Sequence, residues 1–309
     1  MESRMMQHTP KLLSVALLAG LCMSGAAQAG KIADIAILID ESGSMGGEQA
    51  WLSGAISSLE SQLISHGIGD GTDGENRYAL IGFGASSSGQ TGGVGIDDQA
   101  RENDTWMSAG TFGSATGNLV TSGGTEDGYS AIDYFLDNYT PRADAALNVI
   151  LITDEDRDNT NSALDYSSIL GDLNSINAML NVVVEADFGT QTVGNLLGFD
   201  SQGTGYQADG NGGFTMLSGA SALNGYGSTI PDYVDLALAT KGAAWDLNQL
   251  RAGGLMADSF STAFVNIKAT EIQQQVSNPG TVPLPGTLLL SAVGALGLVA
   301  SSKRRNRRT

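Results

Sequence analysis

The sequence predicts a doubly wound α/β fold of the Rossmann-like type, in which a mostly parallel sheet is flanked by helices. The first observation is the continuous apolar run at residues 32–39, which is rich in isoleucine and is typical of a strand buried on both faces. The second is that apolar residues from Leu52 to Leu63 then follow helical spacing. The third is that strand-like and helical patterns alternate through the rest of the chain, which favours β-α-β units.

The later elements follow the same alternation. Further strands are predicted at 78–83, 147–152 and 181–184 and around Trp245 and Leu247, and further helices at 129–139, 233–239 and 257–272. Two stretches rich in Gly, Ser, Thr, Asn and Asp, at about 85–122 and 189–229, predict long surface insertions rather than core. Together these elements predict one domain over residues 30–275, which is long enough to bury its own core.

The amino-terminal residues have the pattern of a secretory signal peptide. Lys11 precedes an apolar run that ends at Ala27-Gln28-Ala29, so residues 1–29 are predicted to be removed on export. An uncleaved anchor is the alternative for this segment. A lipoprotein signal at Cys22 is disfavoured because Leu21 stands where a small residue is required.

The carboxyl-terminal residues contain three elements in a fixed order. A linker at 276–286 holds Val-Pro-Leu-Pro, residues 287–302 are apolar and uncharged, and residues 303–309 carry five basic side chains. The apolar run is short for a membrane-spanning helix, and the basic cluster would hold that end in the cytoplasm. A loose hydrophobic tail is the alternative, which would expose an aggregation-prone surface.

This tail resembles the PEP-CTERM family of exosortase sorting signals, in its VPLP-type variant. The resemblance implies a protein exported from a Gram-negative-type bacterium and held transiently in the inner membrane by the carboxyl-terminal helix. An exosortase-type enzyme would then process it, and the product would remain in the cell envelope or the extracellular matrix.

Charge and cysteine content exclude several classes of function. The chain has a net charge of −18, and only Glu2 of its 33 acidic residues lies outside residues 30–280. Such acidity argues against a nucleic acid partner, because phosphate backbones require basic patches. The one cysteine, Cys22, leaves with the signal peptide, so the mature chain would hold neither a disulfide nor a thiolate metal site.

Oxygen-bearing side chains stand at the carboxyl ends of the predicted strands, where ligands bind in parallel sheets. Asp40, Ser42 and Ser44 follow the first strand, Thr125 lies in a glycine-rich loop, and Asp154 follows the third strand. The two hydroxyls and one carboxylate of the first turn form a hard oxygen site of low charge, which suits Mg²⁺, with Mn²⁺ or Ca²⁺ as other candidates, and the other two loops deliver further oxygen groups. Glu41 is expected to point away from the ion.

The D-x-S-x-S of Asp40, Ser42 and Ser44, together with Thr125 and Asp154, resembles the metal-ion-dependent adhesion site (MIDAS) of the von Willebrand factor A (vWA) domain family. The resemblance implies that the three hydroxyls contact the ion directly and that the two aspartates hold its waters. A carboxylate from a protein or an acidic polysaccharide would complete the octahedron. The implied function is an adhesion or interaction module without enzymatic activity.

Three other interpretations fit some of these residues. Ser42 and Ser44 alone would also fit a helix N-cap, as would Thr125. Ser42 to Gly46 approaches a serine-hydrolase nucleophile elbow, although His66, the only histidine of the mature chain, precedes Asp154 in the sequence.

The third interpretation is a calcium-binding loop. The spacing of a calcium loop is approached by Asp154, Asp156 and Asp158, with Asp165 at the twelfth position, but the glycine and glutamate of such a loop are absent. Asp156 and Asp158 are therefore expected to be solvated loop acids or a rim for a second cation. The acidic, glycine-rich segment at 198–213 was a further calcium candidate. A structural matrix protein whose metal site only stabilises the fold was the alternative function.

Overall fold

The computed structural model describes residues 31–69, 75–85, 96–98 and 106–277. Its strands are β1 Ala33–Asp40, β2 Arg77–Phe83, β3 Asp97–Asp98, β4 Ala146–Thr153, β5 Met179–Val184, β6 Ala186–Gly189, β7 Gly198–Asp200, β8 Thr204–Ala208, β9 Phe214–Ser218, β10 Ser221–Gly225 and β11 Ala243–Asp246. Its α-helices are α1 Gly46–Ser65, α2 Ala109–Ala115, α3 Gly128–Asn138, α4 Tyr166–Ser175, α5 Asp235–Ala239, α6 Leu247–Arg251 and α7 Gly254–Ser277. A 3₁₀ turn, Thr116–Asn118, and a π-helical segment, Ile230–Val234, complete the described elements.

One large sheet forms the centre of the domain. Within the described residues it has nine strands in the order β3-β2-β1-β4-β5-β11-β7-β8-β9. The pairs from β2 to β11 are parallel, whereas β3 and the strands β7, β8 and β9 pair antiparallel. Strands β6 and β10 form a separate antiparallel pair. The predicted doubly wound, mostly parallel α/β fold is therefore confirmed.

Each face of the sheet is covered by a separate hydrophobic core. In β1, Ala36 and Leu38 belong to one core, whereas Ile35, Ile37 and Ile39 belong to the other, as strand geometry requires. The first core contains residues of α3, α4 and α5, and the second contains residues of α1, α2 and α7. Burial on both faces explains why β1 reads as an unbroken apolar run.

Both insertions differ from the expectation of surface loops. In the first, Phe112 of α2 is fully buried in the second core. The second insertion contributes strands. Strands β7, β8 and β9 extend the main sheet, and Leu197 and Tyr206 are fully buried. Tyr206 of β8 stacks on Trp245 of β11, two strands away in the sheet, with ring centroids 5.2 Å apart. This part of the insertion is therefore core, which a composition rich in glycine and hydroxyl residues did not indicate.

Local capping corrects two further expectations. Leu247 was expected on a strand with Trp245, but it begins α6 because the Asp246 side chain accepts a hydrogen bond from Asn248 N, a typical N-cap. Helix α4 was not predicted, although Asp165 and Ser168 form a capping box at its start. Within the part of the chain that the structure describes, no helix is both long enough and apolar enough to cross a bilayer. The predicted signal peptide and the predicted helix at 287–302 lie outside the described residues.

Candidate metal centre

The candidate site lies at the carboxyl edge of the sheet, where β1 and β4 end side by side. These neighbouring parallel strands pair up to Ile39 and Ile152, and the next residues carry the polar side chains. Asp40 is fully buried, Asp154 is 7% exposed and Ser44 is exposed, so the site opens to solvent on the serine side. The sheet therefore delivers these groups to one point from distant parts of the sequence.

Ser44 contacts the carboxylate of Asp154, which directly follows the neighbouring strand β4, and neither serine caps a helix. Ser42 Oγ and Ser44 Oγ lie 3.1 Å apart, and Ser44 Oγ donates to Asp154 Oδ1 over 3.1 Å. Helix α1 begins after Met45 without a side-chain cap. The N-cap interpretation of Ser42 and Ser44 is therefore wrong.

Asp40 orients the turn that carries the serines. Its Oδ1 accepts a hydrogen bond from Ser42 N over 2.6 Å, and its Oδ2 accepts one from Thr153 Oγ1 over 2.9 Å. Burial raises the pKa of Asp40 to about 6, the bonds from Ser42 and Thr153 oppose this, and the charge of Asp154 adds to it. A bound cation would reverse this effect by favouring the charged carboxylate.

The Thr125 loop approaches the same point. A Cβ built on Gly84 would lie 3.3 Å from Asp40 Oδ1 and 3.7 Å from Thr125 O, so the Thr125 backbone lies beside Asp40. Gly84 has φ of +88°, a conformation that favours glycine. Helix α3 is capped by Asp127, whose side chain accepts from Tyr129 N, so Thr125 stays outside the helix and exposed to solvent.

Glu41 has a structural role that sequence reasoning missed. Its side chain is fully buried beside Gly82, and its Oε1 accepts a hydrogen bond from Val120 N over 2.9 Å. Its backbone carbonyl also accepts from Ser122 N. Glu41 thereby fixes the path of the loop that leads to Thr125.

Glu126 is a second acidic group that sequence reasoning missed. It is 4% exposed, and its backbone N–H donates to Asp158 Oδ2 over 2.8 Å. Burial raises the pKa of Glu126 to about 8, with Asp40, Glu155, Asp158 and Asp154 adding to the shift. The loops at 125–127 and 154–158 are thus held together next to the candidate site.

Arg251 reaches the site from the end of α6. Its Nη2 donates to Asp154 Oδ2 over 2.7 Å and to Ser44 O over 3.3 Å, while its Nε donates to Glu48 Oε1 over 2.6 Å. Nothing in the local sequence around Arg251 indicated this contact. Thr153, the residue before Asp154, was likewise absent from the predicted site.

The donor set fits a small divalent cation. Within the described residues, no group of three or more His, Cys, Asp or Glu side chains could hold a metal ion. The candidate site instead combines hydroxyls with only two carboxylates, which is hard oxygen chemistry of low charge. Ser44 Oγ lies within hydrogen-bonding distance of both Ser42 Oγ and Asp154 Oδ1, and Asp40 and Thr125 lie at the same edge.

The alternative chemistries are disfavoured by geometry. His66 follows the last residue of α1, whereas Ser44 precedes its first. A helix of 20 residues separates them by about 30 Å, which is incompatible with a nucleophile and base pair.

The calcium-loop carboxylates also point to different partners. Asp156 accepts from Ser228 N, Asp158 from Glu126 N, and Asp165 from Ser168 N at the start of α4. Asp158 is exposed, as expected for a solvated loop acid, and Asp156 is half-buried; each also joins its loop to another. In the 198–213 segment, Asp200 and Asp209 accept backbone N–H groups of their own turns.

The carboxyl-terminal segment matches a known sorting signal. Residues 281–305 match the model of the PEP-CTERM protein-sorting motif. This match confirms the sorting signal predicted from the Val-Pro-Leu-Pro, apolar and basic elements. A search of curated proteins gives no match.

Solved structures with similar folds include von Willebrand factor A domains. The chain is 12% identical to proximal thread matrix protein 1 from the mussel byssus, with a TM-score of 0.41 over 76% of this chain and 46% of that chain. A further structure of that mussel protein is described with a zinc-occupied MIDAS motif.

A von Willebrand factor type A structure from Catenulispora acidiphila is 14% identical, with a TM-score of 0.36 over 61% of this chain and 51% of that chain. The manganese-loaded TRAP protein of Plasmodium vivax is 20% identical, with a TM-score of 0.35 over 50% of this chain and 58% of that chain. The chain spans about half the length of these solved chains, and the likeness concerns the fold alone.

Proposed function

We propose that residues 30–275 form an exported adhesion-type module of the vWA kind, which binds a partner carboxylate through a Mg²⁺-centred site. Ser42, Ser44 and Thr125 would contact the ion with their hydroxyls, and Asp40 and Asp154 would hold its waters. The bound ion would supply an electrophilic centre for the partner's carboxylate. The module has no enzymatic role in this proposal.

The observation that carries the proposal is the contact between Ser44 and Asp154. These residues are 110 positions apart, yet Ser44 Oγ donates to Asp154 Oδ1 at the edge where ligands bind in parallel sheets. A hydroxyl that only capped a helix would not need a carboxylate from another strand. The buried carboxylate of Asp40 behind this contact adds a second anionic group.

The same chemistry favours Mg²⁺ or Mn²⁺ over Ca²⁺. Mg²⁺ accepts few protein ligands and keeps several waters, whereas Ca²⁺ binds six to eight oxygens, commonly including bidentate carboxylates. Hydroxyl ligands leave much of the ion's charge uncompensated. An ion held in this way retains affinity for a further carboxylate, which is the group expected on a protein or acidic polysaccharide partner.

Calorimetric titration of the purified exported protein with Mg²⁺, Mn²⁺ and Ca²⁺ tests the metal site. Ser42→Ala and Asp154→Asn should weaken Mg²⁺ binding at least tenfold, because each removes one oxygen group of a small donor set. Ser167→Ala, an exposed serine on α4, is the matched control and should bind as wild type. Equal titrations for wild type, Ser42→Ala and Asp154→Asn would overturn the proposed site.

Retention on carboxymethyl beads, compared with hydroxyethyl beads, tests the ligand class. The acidic protein should be retained on carboxymethyl beads in Mg²⁺ and released by a chelator, and Ser42→Ala should not be retained. Metal binding that raises the melting temperature without any carboxylate retention would support the structural alternative, in which the ion only stabilises the fold.

The sorting signal supports a location outside the cytoplasm for this proposed module. Removal of residues 1–29 and loss of the basic tail after exosortase-type processing would release the domain to the envelope or matrix. Mass measurement of the mature protein should give an amino terminus at Gly30 and a carboxyl terminus before Lys303. A terminus that still ends at Thr309 would indicate a permanent tail anchor.

A further inference from the structure

The side chain of Arg251 occupies a position between two buried carboxylates at the candidate metal centre. Its Nε donates to Glu48 Oε1 and its Nη2 donates to Asp154 Oδ2. Glu48 is 2% exposed and Asp154 is 7% exposed, whereas 29% of the Arg251 side chain is exposed. The guanidinium is therefore a fixed positive charge held between two buried carboxylates, and the more exposed carboxylate of Glu185 lies 3.9 Å from its Nη1.

The two oxygens of Asp154 have different partners. Oδ2 accepts from Arg251, and Oδ1 accepts from Ser44 on the side of the proposed ion. A cation bound at the serines would therefore share the Asp154 carboxylate with a permanent cation on its other face. Arg251 also donates to Ser44 O, so the same guanidinium contacts both ends of the Ser44–Asp154 pair.

We propose that Arg251 is a built-in counter-cation that competes with the divalent ion for Asp154 and thereby sets the metal affinity of the site. This inference rests on the proposed function. The positive charge lowers the attraction of the site for a second cation, because two like charges a few ångströms apart repel each other even when solvent screens them. It also keeps the carboxylates compensated when no ion is bound.

The metal-free state is the state that Arg251 stabilises. Within the part of the chain that the structure describes, Glu48 Oε2 is buried without a hydrogen-bond partner. The negative charge of Glu48 is balanced there by the ion pair between its Oε1 and Arg251. Removing one partner of a buried ion pair leaves an uncompensated charge. Loss of Arg251 should therefore destabilise the metal-free protein and at the same time strengthen its attraction for an ion.

Titration of Mg²⁺ and Mn²⁺ into Arg251→Gln tests the inference. The glutamine keeps a hydrogen-bond donor but lacks the charge, and the dissociation constant should fall by about three- to tenfold. Arg251→Lys keeps the charge but not the guanidinium that spans Glu48 and Asp154, so its dissociation constant should lie closer to that of wild type than does that of Arg251→Gln. Arg77→Gln is the matched control, because Arg77 also pairs with a buried aspartate, Asp34, but at the other end of β1, and its affinity should equal that of wild type.

The melting temperature with and without Mg²⁺ provides a readout that a purely structural role would not change. Arg251→Gln should melt several degrees below wild type in chelator, and saturating Mg²⁺ should narrow this difference. A merely structural arginine would give the same difference in both conditions.

The outcomes separate this inference from the proposed function. If wild type binds the ion and Arg251→Gln binds it equally well or more weakly, the proposed role of Arg251 is overturned and the proposed metal site stands. Binding by Arg251→Gln alone would support the inference. Absence of binding in both proteins would overturn the proposed metal site and the inference with it.

Discussion

Thr153, the last residue of β4, donates a hydrogen bond from Oγ1 to Oδ2 of Asp40, the last residue of β1, over 2.9 Å. Both residues are fully buried. Asp40 Oδ1 accepts from Ser42 N, so each oxygen of this carboxylate has a protein donor. The two strand ends are therefore joined by a charge-assisted contact directly below the proposed ion.

Thr153→Val should destabilise the protein, because the valine keeps the volume of threonine but leaves one oxygen of a buried carboxylate without its donor. The free energy of unfolding in urea should fall by about 1–3 kcal/mol. Thr215→Val, an exposed position on β9, is the control and should change it by less than about 0.5 kcal/mol. A neutral Thr153→Val would show that the bond contributes nothing to stability.

Thr125→Ala should separate metal binding from folding. Thr125 is exposed, so its replacement should leave the melting temperature unchanged in chelator. The affinity for Mg²⁺ should fall about tenfold, because one hydroxyl ligand is lost. Calorimetry and thermal denaturation of the same preparation measure both quantities. An unchanged affinity would remove Thr125 from the proposed donor set.

Gly82→Ala should distort the loop that carries Thr125. A Cβ at Gly82 would come closer than 3.0 Å to the Glu41 carboxyl group, which holds Val120 N. Overpacking at such a site costs about 1–3 kcal/mol, and we expect a parallel loss of Mg²⁺ affinity.

Gly54→Ala is the control for that substitution. Gly54 lies in α1 with no heavy atom within 4 Å of a built Cβ, so alanine should raise stability by about 0.5–1 kcal/mol. Urea denaturation of both variants tests the pair. Equal stability of Gly82→Ala and wild type would contradict the packing of Glu41 against Gly82.

The pH dependence of stability should reveal the buried carboxyl of Asp246. Burial raises its pKa to about 6, although hydrogen bonds from Gln249 and Asn248 oppose the shift. A carboxyl whose pKa is raised on folding contributes stability below its unfolded value of 3.8, and this contribution is lost as the pH rises through about 6.

Asp246→Asn removes that titration. Relative to wild type, it should gain up to about 3 kcal/mol between pH 4 and pH 7.5. Urea denaturation at the two pH values measures the change, and Asp144→Asn, at an exposed position, gives the baseline. A pH-independent difference between wild type and Asp246→Asn would contradict the raised pKa.

The buried pair of Lys268 and Glu271 should tolerate joint replacement better than single replacement. Both side chains are fully buried on α7, and Lys268 Nζ also donates to Asn181 Oδ1. Burial lowers the pKa of Lys268 and raises that of Glu271, and each partner's charge opposes the shift of the other.

Lys268→Met alone should cost about 3–5 kcal/mol, because Glu271 is left uncompensated. Lys268→Met with Glu271→Leu should recover most of that loss, as urea denaturation of the single and double variants would show. Additive losses would mean that the two residues stabilise the protein independently.

The sequence predicted the parts of the fold whose signals are local. Both the isoleucine-rich β1 and the helix predicted from Leu52 to Leu63 match the structure. A strand buried on both faces gives an unbroken apolar run, whereas a helix buried on one face gives apolar residues at intervals of three and four. Helix α4 was missed because Asp165 was considered as the twelfth position of a calcium loop, whereas it caps the helix. Two fully buried positions in α4, Ile169 and Leu173, are too few for a clear pattern.

Contacts between residues that are far apart in the sequence could not be predicted. Tyr206 is buried because it stacks on Trp245, and Arg251 meets Asp154 across 97 positions. The five predicted metal residues remain a prediction, although the structure joins Ser44 to both Ser42 and Asp154 and brings Asp40 and Thr125 to the same edge. The role of Glu41 was missed for the same reason. Its sequence neighbours are candidate metal ligands, whereas the residue that it bonds, Val120, is distant in the sequence.

The distance along the chain between Ser44 and Asp154 has a consequence for the life of the protein. In an unfolded chain the two residues do not form the proposed metal site, because β1 and β4 must pair before the two side chains meet. Occupancy of the site by an ion would therefore report that the sheet has assembled. The proposed binding of a partner would then be withheld from unfinished or misfolded copies, so the site would act as a check on correct folding.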